Sequence, residues 1–282
     1  MNSRRPTIVS LIILSLIVVC LPAGLLFGSV DLSASEIIDA LCGNGSDMTR
    51  FVVVETRLPA LITSLLAGAA LAVAGLLMQT CFDNPLAGPS IMGISSGASL
   101  GVAVVMMLGA SYVGIWGNFA IVAGAFAGAL AVLLILMLFS AVVRSAEMLL
   151  IIGILVGYLT SSVISLLNYF APERAVHSFV LWGMGNFNSV DLSVLPYFAM
   201  LCMLFIAMSF PYIRSLNALL FGVEYARSTG INVSVIRTGL ILISGALTAT
   251  VTAWCGPIGF IGLVIPHIAR MALVSSNHRT VL

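Results

Sequence analysis

Charged side chains leave long gaps in this chain, and the lengths of those gaps give the first structural expectation. None occurs from Pro6 to Val30, Leu58 to Phe82, Asn84 to Val143, Met148 to Pro172, Leu192 to Ile213 or Thr238 to Ala269. A helix needs about 20 consecutive apolar residues to cross the hydrocarbon core of a bilayer. Eight such segments can be drawn, at 7–29, 58–82, 91–110, 117–141, 148–169, 192–211, 238–256 and 258–274. The last is interrupted by Pro266 and starts almost directly after the seventh. Backbone groups cannot stay unpaired in lipid, so the spanning element is a helix or a closed barrel. Barrel strands would alternate polar and apolar positions over about ten residues, and these runs are apolar throughout. The pattern predicts an all-α, polytopic membrane protein.

Composition agrees. Of 282 residues, 61% are apolar and 7% charged, against roughly 25% charged in a soluble protein. Too few charges are present to cover a water-exposed surface of this size. All the basic residues are arginines, and their placement sets an orientation. With a cytoplasmic N-terminus carrying Arg4 and Arg5, eight crossings also put Arg144, Arg214, Arg227, Arg237, Arg270 and Arg279 inside. Only Arg50, Arg57 and Arg174 then lie outside, as the positive-inside rule favours. The first apolar run follows Arg4-Arg5 as a signal peptide would. Its length and the poor cleavage sites at Ser29 and Ala34 instead favour a retained anchor. Five cysteines are scattered without a CxxC pair, and His177, His267 and His278 show no metal-site spacing. No metal site is expected.

The chain contains no lysine. A Walker A loop needs its lysine to reach nucleotide phosphates, so ATP is not bound through a P-loop here. Schiff-base chemistry is excluded on the same ground. Ion-coupled carriers usually keep acids or histidines within the bilayer as relay groups, whereas every acid here falls in a predicted loop or at a helix end. Intramembrane catalysis would also need ionisable or metal-binding groups in the core. The expectation is a transport subunit, not an enzyme, with its energy supplied elsewhere.

Three stretches break the apolar monotony. From Arg57 to Gly101, a helix rich in glycine and alanine runs into Asp83-Asn84-Pro85, where Pro85 disfavours helical geometry at Asn84. Pro89, Gly88, Gly93 and Gly97 then imply a non-helical re-entry, read either as a working element or as a plain polar hairpin. From Gly222 to Gly230, Glu224 and Arg227 are three apart, which suits one face of a short helix. Such a helix is either a solvated loop element or the place where a cytoplasmic partner pushes. From Gly256 to Arg270, glycines recur every three residues and Pro257 and Pro266 bracket an apolar core. His267 there is either a pore group or an interfacial helix end.

Together these stretches resemble the FecCD-like permeases, the iron-siderophore, haem and vitamin B12 family of bacterial ABC importers. The matching residues are Arg57-Leu58-Pro59, Gly68 to Ala72, Gly75, Gln79, Asn84 to Ala87, Pro89, Gly93 and Gly97-Ala98. Trp182 to Gly185, Glu224 to Gly230 and Gly256 to Arg270 match the later family motifs in order. The resemblance implies one transmembrane permease domain over residues 1–282 in the bacterial inner membrane, with a cytoplasmic coupling loop at 212–237. It implies ten helices, of which about eight are present, the chain ending at Leu282 near the expected start of the ninth. That shortening puts the activity of this exact chain in question.

The resemblance also implies partners and roles. A second permease subunit, the same or different, would complete the path. A cytoplasmic ABC ATPase dimer would use the ATP, leaving this subunit without a cofactor. A periplasmic binding protein would deliver the cargo; no nucleic-acid partner is expected, and lipid surrounds the rest. Asn84, Pro85 and Leu86 would form a cytoplasmic gate, with a second gate at Ser145, Ala146 and Glu147. Glu224, Tyr225, Ala226, Arg227 and Gly230 would meet the ATPase, and Arg57 would dock the binding protein. The family's second arginine in that motif is Ala60 here, which weakens or rearranges docking. The expected cargo is an iron-siderophore-type metal chelate, with haem or cobalamin as alternatives. An ATPase-independent carrier or an assembly subunit are the competing readings.

Overall fold

The computed structural model describes residues 4–108, 115–143 and 145–282; Arg144, assigned above to the inside, lies outside them. The described chain is helical and forms one bundle. α1 (Arg4–Leu26) is followed by α2 (Ala34–Leu41) and α3 (Asp47–Arg50). A wide π-helical stretch at Phe51–Arg57 joins α3 to α4 (Leu58–Cys81). Next come α5 (Ile94–Leu108), α6 (Ile115–Val142), α7 (Ala146–Phe170), α8 (Glu173–Gly183) and α9 (Leu195–Ser209). Two short helices, α10 (Ile213–Leu219) and α11 (Val223–Ser228), precede α12 (Val233–Cys255), α13 (Ile261–Leu273) and α14 (His278–Val281).

Among the described residues, six helices are long and apolar enough to cross a membrane. The shorter apolar helices α5 and α13 fall where the third and eighth segments were drawn, so the eight expected segments all appear as helices. What the charge gaps did not reveal are the caps and amphipathic pieces between them. α2 starts with a reciprocal capping box, in which Ser33 accepts from the Glu36 amide and Glu36 returns to the Ser33 amide, satisfying two otherwise orphaned donors. Those bonds hold the exposed Glu36 carboxyl below its usual pKa, the backbone bond contributing most. Ser145 caps α7 and Asn232 caps α12.

Burial separates the inside of the bundle from its outside. α12 and α4 form the interior: 61% of the α12 window and 50% of the α4 window are buried, against none of the α1 window. α4 lies between α12, α13 and α9, and α12 also packs on α6. Small residues permit this closeness. A Cβ added at Gly75 would sit 1.5 Å from the Gly262 carbonyl oxygen, so α4 and α13 touch backbone to backbone. The α5–α6 pair does the same twice: a Cβ on Gly101 would meet the Gly124 oxygen at 1.9 Å, and one on Gly128 the Gly97 oxygen at 2.0 Å. Trp254 of α12 seals the other side, packing edge-on to Phe126 at 5.4 Å and Phe198 at 5.8 Å. A Ser244 hydroxyl on α12 donates to the Ala74 carbonyl of α4 at 3.0 Å.

Candidate functional site

The turn after α4 is irregular, as its prolines predicted. Asp83 takes a positive φ of 48°, uncommon for a residue with a side chain. The Asn84 amide reaches back to the Gln79 carbonyl at 3.0 Å, and the Asn84 side-chain oxygen accepts from the Leu86 amide at 2.9 Å, a local turn typical of asparagine. Pro85 and Leu86 are exposed, while Ala87, Gly88 and Pro89 are buried. Leu86, 64% exposed, therefore stands on a rigid base with its side chain available to another surface. At the start of α7, Ser145 and Glu147 are both exposed and bonded to each other at 2.5 Å, and Ala146 is the first residue of the helix.

α11 is the compact helix expected between Gly222 and Gly230. Both glycines have positive φ, 99° and 82°. The Gly230 amide bonds the Arg227 carbonyl, and the Ile231 amide bonds Ala226, the paired pattern with which glycine ends helices. Glu224 and Arg227 are paired at 2.8 Å on the exposed face. Tyr225 is half exposed, its ring 5.2 Å from Phe221, and Ala226 is fully buried against the bundle. One face thus anchors α11, and the other presents an ion pair and an aromatic.

Two hollows bring these pieces together. The first, about 580 Å³, is walled by Ser145 and Glu147 on one side and by Val223, Arg227, Asn232 and Arg237 on the other. The second, about 80 Å³, lies between Asp83, Asn84 and Pro85, the end of α10 at Leu219 and Leu220, and Arg270. The α10–α11 segment therefore borders both turns assigned as gates. Sequence spacing did not show this proximity, because these residues are separated by about 80 to 140 positions.

Arg57 is placed differently from expectation. It stands at the opposite end of α4 but is only 8% exposed. Its guanidinium donates to the main-chain carbonyls of Leu25, Leu26 and Val30, at the negative end of α1. In that geometry the Arg57 charge is turned into the protein and not towards the surface where docking was expected. Arg50 and Glu55, on the adjoining stretch, are exposed, as is Asp47 one turn before Arg50. At the same end the later motifs meet, the Asn186 amide bonding the Cys255 carbonyl at 2.7 Å.

Sequence reasoning also missed a partly buried polar cluster of Thr80, Asn217, Arg270 and His278. Gln79 and Arg270 were noted only as motif members. No group of three His, Cys, Asp or Glu suited to a metal ion occurs among the described residues.

Residues 14–282 match the FecCD transport family. The chain belongs to that family. This FecCD chain is 32% identical over 286 residues to the hemin transport system permease protein HmuU of Yersinia pestis, spanning 100% of this chain and 84% of that one. It is 35% identical over 235 residues to the vitamin B12 import system permease protein BtuC of Escherichia coli O1:K1 / APEC, spanning 81% of this chain and 68% of that one. Among solved structures it resembles a chain titled as belonging to a metal-chelate type ABC transporter in an inward-facing conformation. The TM-score there is 0.82 at 30% identity, covering 94% of this chain and 81% of the other. The FecCD chain is a multi-pass membrane protein related to transport permeases, and its fold is that of an ABC permease.

Proposed function

We propose that this chain is the inner-membrane permease subunit of a binding-protein-dependent ABC importer for a metal chelate. One observation carries the mechanism: the α10–α11 segment borders both the Asp83–Leu86 turn and the Ser145–Glu147 turn. A cytoplasmic ATPase dimer pressing on the exposed Glu224, Tyr225 and Arg227 would move that segment, and both turns with it. Ala226 and Gly230 would keep α11 seated and capped during the stroke. In this reading residues 212–237 are the cytoplasmic coupling loop of a single permease domain over 1–282, and the N-terminus is cytoplasmic. A second permease subunit completes the path, and ATP is used only by the partner. The binding protein docks at the other end, where Arg50 and Glu55 replace Arg57 as its charged contacts. The cargo is an iron-siderophore-type chelate or one of the two metal macrocycles, haem and cobalamin; the likeness to a hemin and a vitamin B12 permease brings those two forward.

The test is Glu224→Arg in the assembled complex. It sets two like charges on the exposed face, where the native pair adds little stability. Membrane insertion should be unchanged while uptake falls at least roughly tenfold, a docking loss of ~1.4 kcal/mol. Unchanged uptake and ATPase stimulation would overturn the coupling assignment. Offering ferric siderophore, haem and cobalamin to the cognate binding protein decides the cargo.

A further inference from the structure

We infer that Thr80, Arg270, Asn217 and His278 form a releasable side-chain linkage between the coupling segment and the Asp83–Leu86 turn, with His278 as its positioning residue. The inference rests on the reading of those two segments given above.

His278 is fully buried between the exposed Asn277 and Arg279, and it is held from both sides. Its Nδ1 lies 2.9 Å from Asn217 Oδ1 on α10, and its backbone amide bonds the same oxygen at 2.9 Å. Its Nε2 lies 2.8 Å from Thr80 Oγ1 on α4. An amide oxygen carries no proton, so Nδ1 must be the donor to Asn217. Nε2 is then bare in the neutral ring and accepts from the Thr80 hydroxyl. Arg270 donates to that hydroxyl oxygen at 3.2 Å and to Gln79 Oε1 at 3.2 Å. Gln79 in turn donates to the Leu263 carbonyl at 2.9 Å. The chain of bonds therefore runs from α10 through α14 to α4 and α13.

The hydroxyl of Thr80 has one proton and two acceptors in reach. One is His278; the other is the Leu76 carbonyl on its own helix, at 3.0 Å. If α10 and His278 withdraw, Thr80 turns its proton to Leu76, and α4 is left with no unsatisfied donor at that position. A buried link normally costs the full desolvation of whatever it abandons. This one can open at Thr80 without that penalty. Movement at Thr80 passes directly to the turn, because the Asp83 amide bonds the Thr80 carbonyl at 3.4 Å and the Asn84 amide bonds the Gln79 carbonyl at 3.0 Å.

The experiment uses the permease assembled with its ATPase and binding protein in proteoliposomes, reading uptake per ATP hydrolysed. Thr80→Val keeps shape and removes the hydroxyl; His278→Phe removes both ring bonds. Each should leave binding-protein-stimulated hydrolysis intact and lower the uptake-to-hydrolysis ratio about fivefold, the scale of one buried hydrogen bond. The double variant should be no worse than either single one, because both cut the same link. His278→Gln, with a donor and an acceptor at its tip, should recover part of the ratio. A purely structural role would lower yield or melting temperature and leave the ratio alone. An unchanged ratio in folded Thr80→Val overturns the linkage. Wild-type complex without ATP-dependent uptake would instead sink the importer reading itself, and the linkage with it.

Discussion

Arg57, buried, and Arg270, partly buried, stand beside opposite ends of α4, and among the described residues both bond uncharged acceptors. Their surroundings differ in kind. Arg57 is held by three main-chain carbonyls, those of Leu25 and Leu26 in the last turn of α1 and that of Val30 in the bend after it, and the first two cannot rotate away without unwinding a helix. Arg270 is held by two side chains, Gln79 and Thr80, which can find other partners by changing a torsion angle. A buried charge fixed by backbone makes a permanent joint. One fixed by rotatable side chains makes a joint with more than one setting. α4 thus has a fixed end and an adjustable end, and the adjustable end is the one next to the coupling segment.

The contrast can be broken most severely midway between the two arginines. Gly75→Leu would drive a side chain into the Gly262 carbonyl, and overpacking backbone against backbone should cost at least about 3 kcal/mol. The Arg270 end should open while the α1 joint persists. Buried Cys81 would then react with a maleimide in membranes, where the wild type is protected; continued protection would show that α13 is not held by that contact. Next in size is Arg57→Ala. It strips the Leu25, Leu26 and Val30 carbonyls of their donor and should lower stability by about 1–3 kcal/mol, read as a lower melting temperature with uptake per ATP unchanged in what remains folded. Arg50→Glu should do the reverse, altering the salt dependence of binding-protein association and leaving melting alone. If Arg57→Ala instead changed docking, the guanidinium would face outward in the working protein.

The smallest effect is expected at the adjustable end and depends on pH. Burial, and then the nearby Arg270 charge, lower the His278 pKa from 6.5 to about 4. The other groups bonded to the ring, Thr80 and Asn217, do not titrate. The folded state therefore refuses a proton that the undocked segment accepts. Stability from this docking is complete above about pH 6.5 and is lost progressively as pH falls towards 4. Melting temperature should drop through that window in the wild type and drop less in His278→Phe. Parallel profiles for the two proteins would mean that His278 is accessible to protons when docked.

The two arginines also measure how far the sequence could be read. Charge-free stretches located the spanning helices to within a few residues, because the cost of a charge in lipid acts on each segment separately. The Asp83–Pro85 turn and the glycine-bounded α11 were visible for a similar reason: proline and glycine act locally. Where the Arg57 side chain turns was not legible, because its position in a motif gives no sign of side-chain direction. The link from His278 to Thr80 spans 198 positions, and nothing in the local composition of either residue announces the other. Glycines were legible only as a class. Gly75 makes a backbone contact, whereas Gly68, in the same run, has open space where a side chain would go.

Gly97, Gly101, Gly124 and Gly128, the pairs on which α5 and α6 close, have a consequence for inheritance. Any single-base change in a glycine codon that alters the amino acid adds at least one carbon. At each of these four positions that carbon would fall within 2.6 Å of an atom of the opposite helix. No smaller residue exists to drift through, so at Gly101 and Gly128, where the carbon would meet backbone at 1.9 and 2.0 Å, a step away from glycine forces the helices apart. The seam between the two helices is therefore expected to vary less among descendants of this gene than their exposed, lipid-facing sides.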